Sequence, residues 1–212
     1  MSKGILPGRS LKRFFSYYRE VLEAERVEVS LISSANLAKA LGIKASQVRK
    51  DLNYLNCFGR RGVGYSVENL KAELAVVLGI GQTWNVALVG VGKLGRALLS
   101  YHPFRVSGYL ITAAFDADVA IVGTEIDGVP VYHIDELASV VASKGLELCL
   151  LSVQADIAQK VATAVEAAGI EGIMNFTPVN IRLSDDTCLR TMDMVEQMNV
   201  LTFRLRKNRL KR

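Results

Sequence analysis

This chain lacks several things, and each shortage removes a class of function. Its 212 residues include two histidines, His102 and His133, and three cysteines, Cys57, Cys149 and Cys188. The cysteines are widely spaced, form no C-x-x-C pair and have no histidine close in sequence. Neither a disulfide framework nor a metal site is therefore expected, and the thiols read as reduced. No run of about 18 apolar residues is present, which argues against a membrane-spanning helix. The opening MSKGILPGRS has no apolar signal segment. A cytoplasmic protein with no membrane contact is expected. There is no internal repeat, and sequence bias is confined to the basic end RLRKNRLKR.

What is present is divided by charge. Residues 1–79 carry 13 Lys and Arg against 7 Asp and Glu, net +6. Residues 80–190 carry 7 against 12, net −5, and residues 191–212 carry 6 against 2, net +4. A basic flank beside an acidic middle suggests an anionic polymer bound at one place and a different ligand at another. Half the residues are hydrophobic, enough for one medium and one small domain. The expected division is 1–80, 81–190 and 191–212.

In SLKRFFSYYREVLEAE, Leu11, Phe14, Phe15, Tyr18, Val21 and Leu22 recur at steps of three and four, predicting an amphipathic helix that Ser10 can cap. In SANLAKALGIKASQVRKDLNYL, Ser34 begins a short helix with Leu37, Ala38 and Leu41 inward. Gly42 makes a left-handed turn and Ser46 caps a second helix. The second helix buries Val48, Leu52 and Leu55 and turns Gln47, Arg49, Lys50 and Asn53 outward. That is the helix-turn-helix arrangement. Gln47 can bridge an adenine edge and Arg49 can fork onto guanine or a phosphate. The alternative is an ordinary helical hairpin with a solvated charged face. FGRRGVGYSV follows, with Arg60, Arg61 and Tyr65 in a glycine-rich hairpin that reads as a wing able to enter a minor groove, or as a phosphate-binding or flexible loop. A further helix ends at Gly79 to Gly81.

WNVALVG reads as a buried strand that runs into Gly90, Gly92 and Gly95 in the spacing G-x-G-x-x-G. Gly90 permits the turn, Gly92 lets the backbone approach a pyrophosphate, and Gly95 lets the helix lie close on the strand. A second strand ends at Asp116, 21 residues after Gly95, where an acid accepts ribose hydroxyls and repels a 2′-phosphate, so NAD is favoured over NADP. Strands and helices then alternate, implying a doubly wound parallel sheet. Ligands of such sheets sit beyond the carboxyl ends of the strands. That directs attention to Gly90 to Gly95, which include Val91, Lys93 and Leu94, and to Asp116, Ser152 to Gln154 with Val153, and Asn175 to Pro178.

A dehydrogenase needs a proton donor or acceptor beside the nicotinamide. His102 could reach the site, whereas His133 belongs to a strand end. Only about 25 residues follow the sheet, so no substrate domain is expected, and no enzymatic activity. A small NAD-dependent oxidoreductase and a CoA-binding Rossmann protein are the competing readings. In the closing segment, Met194, Met198, Leu201 and Leu205 form one stripe, for packing on the chain's own sheet or on a partner subunit.

ISSANLAKALGIKASQVRKDLNYL, FGRRGVGY, GVGKLGRAL, FDAD, GVPVYHIDEL and NFTPV, in this order, resemble the Rex redox-sensing transcriptional repressors over roughly residues 5–205. The resemblance implies an α/β homodimer, each chain with an N-terminal winged helix and a Rossmann domain, and a C-terminal helix swapped between subunits. It implies repression through double-stranded operator DNA, relieved as NADH rises, with NADH and NAD+ as regulatory ligands. Carried over by position, Ser46, Gln47, Arg49 and Lys50 face DNA with Arg60, Arg61 and Tyr65 of the wing. Gly90 to Gly95, Asp116 and Val153 hold the nucleotide. Arg19 and Tyr101 compete for Asp193 of the partner subunit as the cofactor changes. Asn56 and Cys57 stand where many members carry Gly and a polar residue. On this reading the nucleotide is a signal. NAD+ carries a positive ring and NADH a neutral one, so an apolar pocket with no anion near the ring favours NADH.

Overall fold

The computed structural model describes residues 8–55, 57, 59–60 and 63–210, in two compact units, Met1–Gln82 and Thr83–Arg212. The first is built on α1 (Gly8–Arg26), β1 (Leu31–Ile32), α2 (Ser34–Leu41), α3 (Ala45–Tyr54), β2 (Tyr65–Ser66) and α4 (Val67–Leu78). β1 and β2 pair antiparallel, Ile32 opposite Tyr65. Arg60 and Gly64 exchange backbone hydrogen bonds of 2.8 and 2.9 Å just before β2, closing a hairpin on the winged-helix plan.

Three local expectations for this unit need correction. The buried stripe of α1 runs Phe14, Tyr17, Val21 and Ala24, with Phe15 and Leu22 left exposed. Tyr17 can turn inward because its hydroxyl donates to Asp51 Oδ2 at 2.7 Å, which removes the penalty of burying it. Ser10 lies inside α1, where its Oγ accepts from Arg13 Nη2, and so does not cap it. Ser46 is the second residue of α3, not its cap. The chain enters that helix at Lys44, whose carbonyl accepts from Gln47 and Val48 N–H. The cap of α2 is Ser33, accepting from Asn36 N–H at 3.0 Å, and the helix ends on Gly42 at φ 64° as expected.

The second unit runs β3 (Trp84–Val89), α5 (Lys93–Leu99), α6 (His102–Val106), β4 (Tyr109–Asp116), β5 (Glu125–Ile126), β6 (Val129–His133), α7 (Leu137–Lys144), β7 (Leu148–Leu151), α8 (Ala158–Ala167), β8 (Gly172–Asn175), β9 (Cys188–Thr191) and α9 (Met194–Arg209). The strands form one sheet in the order β5-β6-β4-β3-β7-β8-β9, parallel throughout except for β5. From β3 the chain builds outward through β4 to β6, then returns to the other side of β3 at β7. That is the Rossmann reversal, which leaves a crevice at the carboxyl ends of β3 and β7.

Central strands of a parallel sheet are covered on both faces, so β3 buries four successive residues, Val86 to Val89. Strand alternation divides them. Ala87 and Val89 pack with Phe115, Leu151 and residues of α7 and α8, while Val86 and Leu88 pack with Ala114, Leu150 and Leu98 of α5. The edge strand β9 was not foreseen. Its Cys188, Arg190 and Thr191 are exposed, so it carries no apolar alternation to reveal it. None of the residues of α9 is buried, so this helix does not fold onto its own sheet. Among the described residues no helix is long and apolar enough to cross a membrane.

The Tyr17–Asp51 bond joins α1 to α3 through a carboxylate that is 6% exposed. Tyr17→Phe is expected to lower the stability of the N-terminal unit by about 1.5–3 kcal/mol, the weight of a hydrogen bond to a charged group. Urea unfolding followed by far-ultraviolet circular dichroism measures this, and an unchanged midpoint would refute it.

Candidate functional site

A cavity of about 1010 Å³ opens at the carboxyl ends of β3, β4 and β7. Its floor is the turn from β3 into α5. Gly90 has φ +95°, and a Cβ there would come within 2.6 Å of the Ser152 carbonyl oxygen. A Cβ on Gly95 would collide with the Gly90 carbonyl oxygen. These two glycines serve the fold itself, because helix and strand approach backbone to backbone. Ser152 secures the turn by donating its hydroxyl to the Gly90 carbonyl at 2.8 Å.

Gly92 is different. Its φ is −70°, open to any residue, and an added Cβ would meet nothing within 4 Å. The folded chain alone does not require glycine here.

Asp116 ends β4 and lines the same cavity. Its Oδ2 accepts from Val91 N–H at 2.7 Å and its Oδ1 from Asp118 N–H at 3.0 Å. Each oxygen keeps a second acceptor site, so the carboxylate can brace the glycine turn and still receive ribose hydroxyls. Val91, Lys93 and Val153 also line the cavity, whereas Leu94 lies on the other face of the sheet, against the cluster around Val86 and Leu88.

Several wall residues belong to no motif legible in the sequence. Asp118, Asp135 and Ile134 stand on the β4–β6 side, and Ile157 and Lys160 follow β7. Arg96 joins Lys93 on the first turns of α5. Asp118, two residues after Asp116 in FDAD, is the exception; the others depend on which loops the reversed strand order brings together. The cavity's carboxylates are Asp116, Asp118 and Asp135, none of them from the β7–α8 stretch.

Asn175 and Thr177 do not line the cavity. Asn175 is fully buried; its Oδ1 accepts from Thr177 N–H and hydroxyl, and its Nδ2 donates to the Val179 carbonyl. They brace the loop after β8. His102 opens α6 and is exposed. His133 ends β6 and caps the next turn, accepting from Asp135 N–H. Neither histidine lines the cavity, and among the described residues no cluster of His, Cys, Asp or Glu could hold a metal ion.

In the N-terminal unit, Ser46, Arg49, Lys50 and Asn53 are exposed on α3, and Arg49 Nη1 donates to Ser34 Oγ on α2 at 3.2 Å. Gln47 is half-buried, its Nε2 donating to Asp51 Oδ1 at 2.8 Å. Arg60 is exposed beside the hairpin closure, and Arg61 and Asn56 lie outside the described residues. Tyr65 is 8% exposed, its ring 2.9 Å from where a Cβ on Gly59 would sit, so it supports the hairpin from within the core. Arg19 is exposed on α1. Tyr101 is half-exposed and packs edge-on against Phe104, with ring centroids 5.1 Å apart. Asp193 caps α9, accepting from Val195 and Glu196 N–H.

A family model described as a CoA binding domain matches residues 81–179, and one described as a putative DNA-binding protein N-terminus matches residues 6–53. The redox-sensing transcriptional repressor Rex of Carboxydothermus hydrogenoformans is 38% identical over 203 residues, covering 96% of this chain and 98% of that protein. Rex 1 of Thermotoga maritima is 41% identical, covering 94% of this chain and 96% of that protein. Among solved structures, RSP, a Rex-family repressor, is 31% identical. It matches with a TM-score of 0.88 over 98% of this chain and 97% of that one. The TM-score is 0.92 for RSP in complex with β-NAD+ and operator DNA, over 98% of this chain and 95% of that one, and 0.87 for RSP with β-NADH, over 98% and 97%.

The two glycine roles predict different outcomes. Gly92→Ala should leave stability within about 0.5 kcal/mol of the parent while weakening dinucleotide binding roughly tenfold or more, the equivalent of about 1.4 kcal/mol. Gly95→Ala should destabilise the C-terminal unit by about 1–3 kcal/mol through backbone overpacking. Thermal melting and NADH fluorescence titration measure both, and equal effects of the two substitutions would contradict the assignment.

Proposed function

The chain belongs to the Rex family of redox-sensing transcriptional repressors, and we propose that it holds double-stranded operator DNA through its winged helix and releases it when NADH fills the cavity. The observation that carries this reading is the presence in one chain of a basic, exposed recognition-helix face and a dinucleotide cradle without a histidine in its walls. RSP has been solved with β-NAD+ and operator DNA together and with β-NADH. The same pair of ligands suits this chain.

Ser46, Gln47, Arg49 and Lys50 face the major groove, with Arg60 and Arg61 at the wing, and Tyr65 supports that wing from within. The pyrophosphate lies over Gly90 to Gly95, and Asp116 takes the adenosine ribose. The nicotinamide then extends past the switch point toward Val153 and Ile157. Of the β7–α8 stretch, Lys160 lines the cavity and no carboxylate does. A positively charged NAD+ ring gains no carboxylate there, whereas the neutral ring of NADH has no charge to desolvate.

The active form is a homodimer acting in the cytoplasm. Met194, Val195, Met198, Leu201, Phe203 and Leu205 are all exposed on α9. Such a helix needs a partner in water, and exchange between two subunits supplies one. Arg19 and Tyr101, competing for Asp193 of the partner subunit, are the set that switches on this reading. Residues 1–80 form the DNA-binding part, 81–190 the nucleotide-binding part and 191–212 the dimerisation helix with its basic tail. The CoA-binding description offers a second reading, in which adenine nucleotides bind without regard to nicotinamide charge.

Fluorescence anisotropy of labelled promoter duplexes at fixed salt tests the proposal. NADH should weaken DNA binding roughly 5- to 150-fold, the usual range of allosteric coupling, and NAD+ much less. Specific DNA binding indifferent to both nucleotides would overturn the redox reading. Two substitutions should separate the ligands. Asp116→Ala loses NADH affinity and keeps operator binding, and Arg49→Ala does the reverse. Loss of both functions in either variant would contradict the assignment.

A further inference from the structure

Asp51 has a heavily committed side chain. It lies on the inner edge of α3 and is 6% exposed, yet its carboxylate receives four hydrogen bonds. Oδ2 accepts from Arg13 Nε and the Tyr17 hydroxyl, each at 2.7 Å; Oδ1 accepts from Arg13 Nη2 at 3.0 Å and from Gln47 Nε2 at 2.8 Å. Every acceptor site of an ionised carboxylate is therefore filled. Burial pushes the Asp51 carboxyl up, but the hydrogen bonds from Arg13, Tyr17 and Gln47 and the charge of Arg13 outweigh it, and the group stays below the ordinary carboxylate range.

An ionised carboxylate can only accept. Gln47 must therefore turn its amino end toward Asp51, because the flipped amide would set its carbonyl oxygen against a negative charge. The four-residue step from Gln47 to Asp51 keeps both on one side of α3, beside the exposed face that carries Ser46, Arg49 and Lys50. The Gln47 carbonyl oxygen makes no hydrogen bond among the described residues and is not sealed from solvent. An unclamped glutamine can read a base with either end of its amide. This one presents its acceptor.

Resting on the operator-binding reading above, we propose that Asp51, held by Arg13 and Tyr17, is a positioning residue for base recognition. It fixes the polarity of the Gln47 amide so that this residue selects an exocyclic amino group in the major groove. The groups selected by the outward carbonyl oxygen are adenine N6 or cytosine N4, whose hydrogens it accepts, while it repels the keto oxygens of thymine and guanine; the second Nε2 hydrogen is left to reach adenine N7. Asp51 touches no DNA, and its effect passes through Gln47.

The full-length protein would first select its operator from a random-sequence duplex library, and Gln47→Ala would identify the base pair read by this residue as the one whose preference disappears. At that pair, wild-type protein should favour the amino-bearing base roughly 5- to 150-fold. Asp51→Asn, whose amide no longer dictates the orientation of Gln47, should reduce that ratio toward the Gln47→Ala value and leave preferences at other positions intact. In a Gln47→Ala background it should change nothing further at that position. A second measurement needs no variant at Asp51. With wild-type protein, an operator lacking the exocyclic amino group at that base should bind roughly 2- to 13-fold more weakly, the weight of one neutral hydrogen bond. Removing the keto oxygen of the opposing base should have no effect. Selection of no sequence at all would defeat the operator-binding reading itself. The proposal is overturned, with that reading intact, if Gln47→Ala erases no position or the keto oxygen proves to be the group read. It is equally overturned if Asp51→Asn weakens every position alike without changing the amino-to-keto ratio.

Discussion

The nucleotide site depends on a contact that contains no side chain: α5 lies so close to the end of β3 that a Cβ on Gly95 would collide with the Gly90 carbonyl oxygen. Because the backbones touch, the turn between them becomes a shallow cradle rather than a protruding loop. Ser152 from β7 and Asp116 from β4 then hold it from two sides, one donating to the Gly90 carbonyl and the other accepting from Val91 N–H. The three strands whose ends surround the cavity are thus tied through one short stretch of main chain.

The sequence announced this arrangement because its physical demands fall on residues that permit little else. Glycine spacing marked the turn, and the acid at the end of the next strand proved to line the same cavity. The winged helix was legible for the same reason, with Gly42 at a left-handed turn and Val48, Leu52 and Leu55 on one face. Other features escaped because their causes lie far away in the chain. The buried stripe of α1 is set by a hydroxyl finding Asp51, 34 residues later. Strand β9 has an exposed pattern and gains its place only by pairing with β8. Helix caps at Ser10 and Ser46 failed for a smaller reason, since the chain enters each helix two residues or so earlier than its serine suggests.

Two kinds of recognition meet in this chain, and they use charge differently. The N-terminal unit is basic, which suits a phosphate polymer and gives affinity without sequence information. On the proposed function, specificity there comes from amides and guanidinium groups whose directions are set from below, as the Asp51 carboxylate holds the Gln47 amide. In the C-terminal unit the cavity's carboxylates, Asp116, Asp118 and Asp135, all come from the β4–β6 side. On the same proposed function, one unit reads a polyanion and the other reads the charge of a single ring. Neither task calls for a reacting pair of groups, which accords with a ligand that acts as a signal rather than a substrate.

If the two sites are coupled through one equilibrium, the coupling must be equal in both directions. The most direct test is the affinity for NADH in the absence and in the presence of saturating operator DNA. The account predicts that operator DNA weakens NADH binding by the same factor by which NADH weakens operator binding, roughly 5- to 150-fold. An NADH affinity unchanged by operator DNA would contradict it.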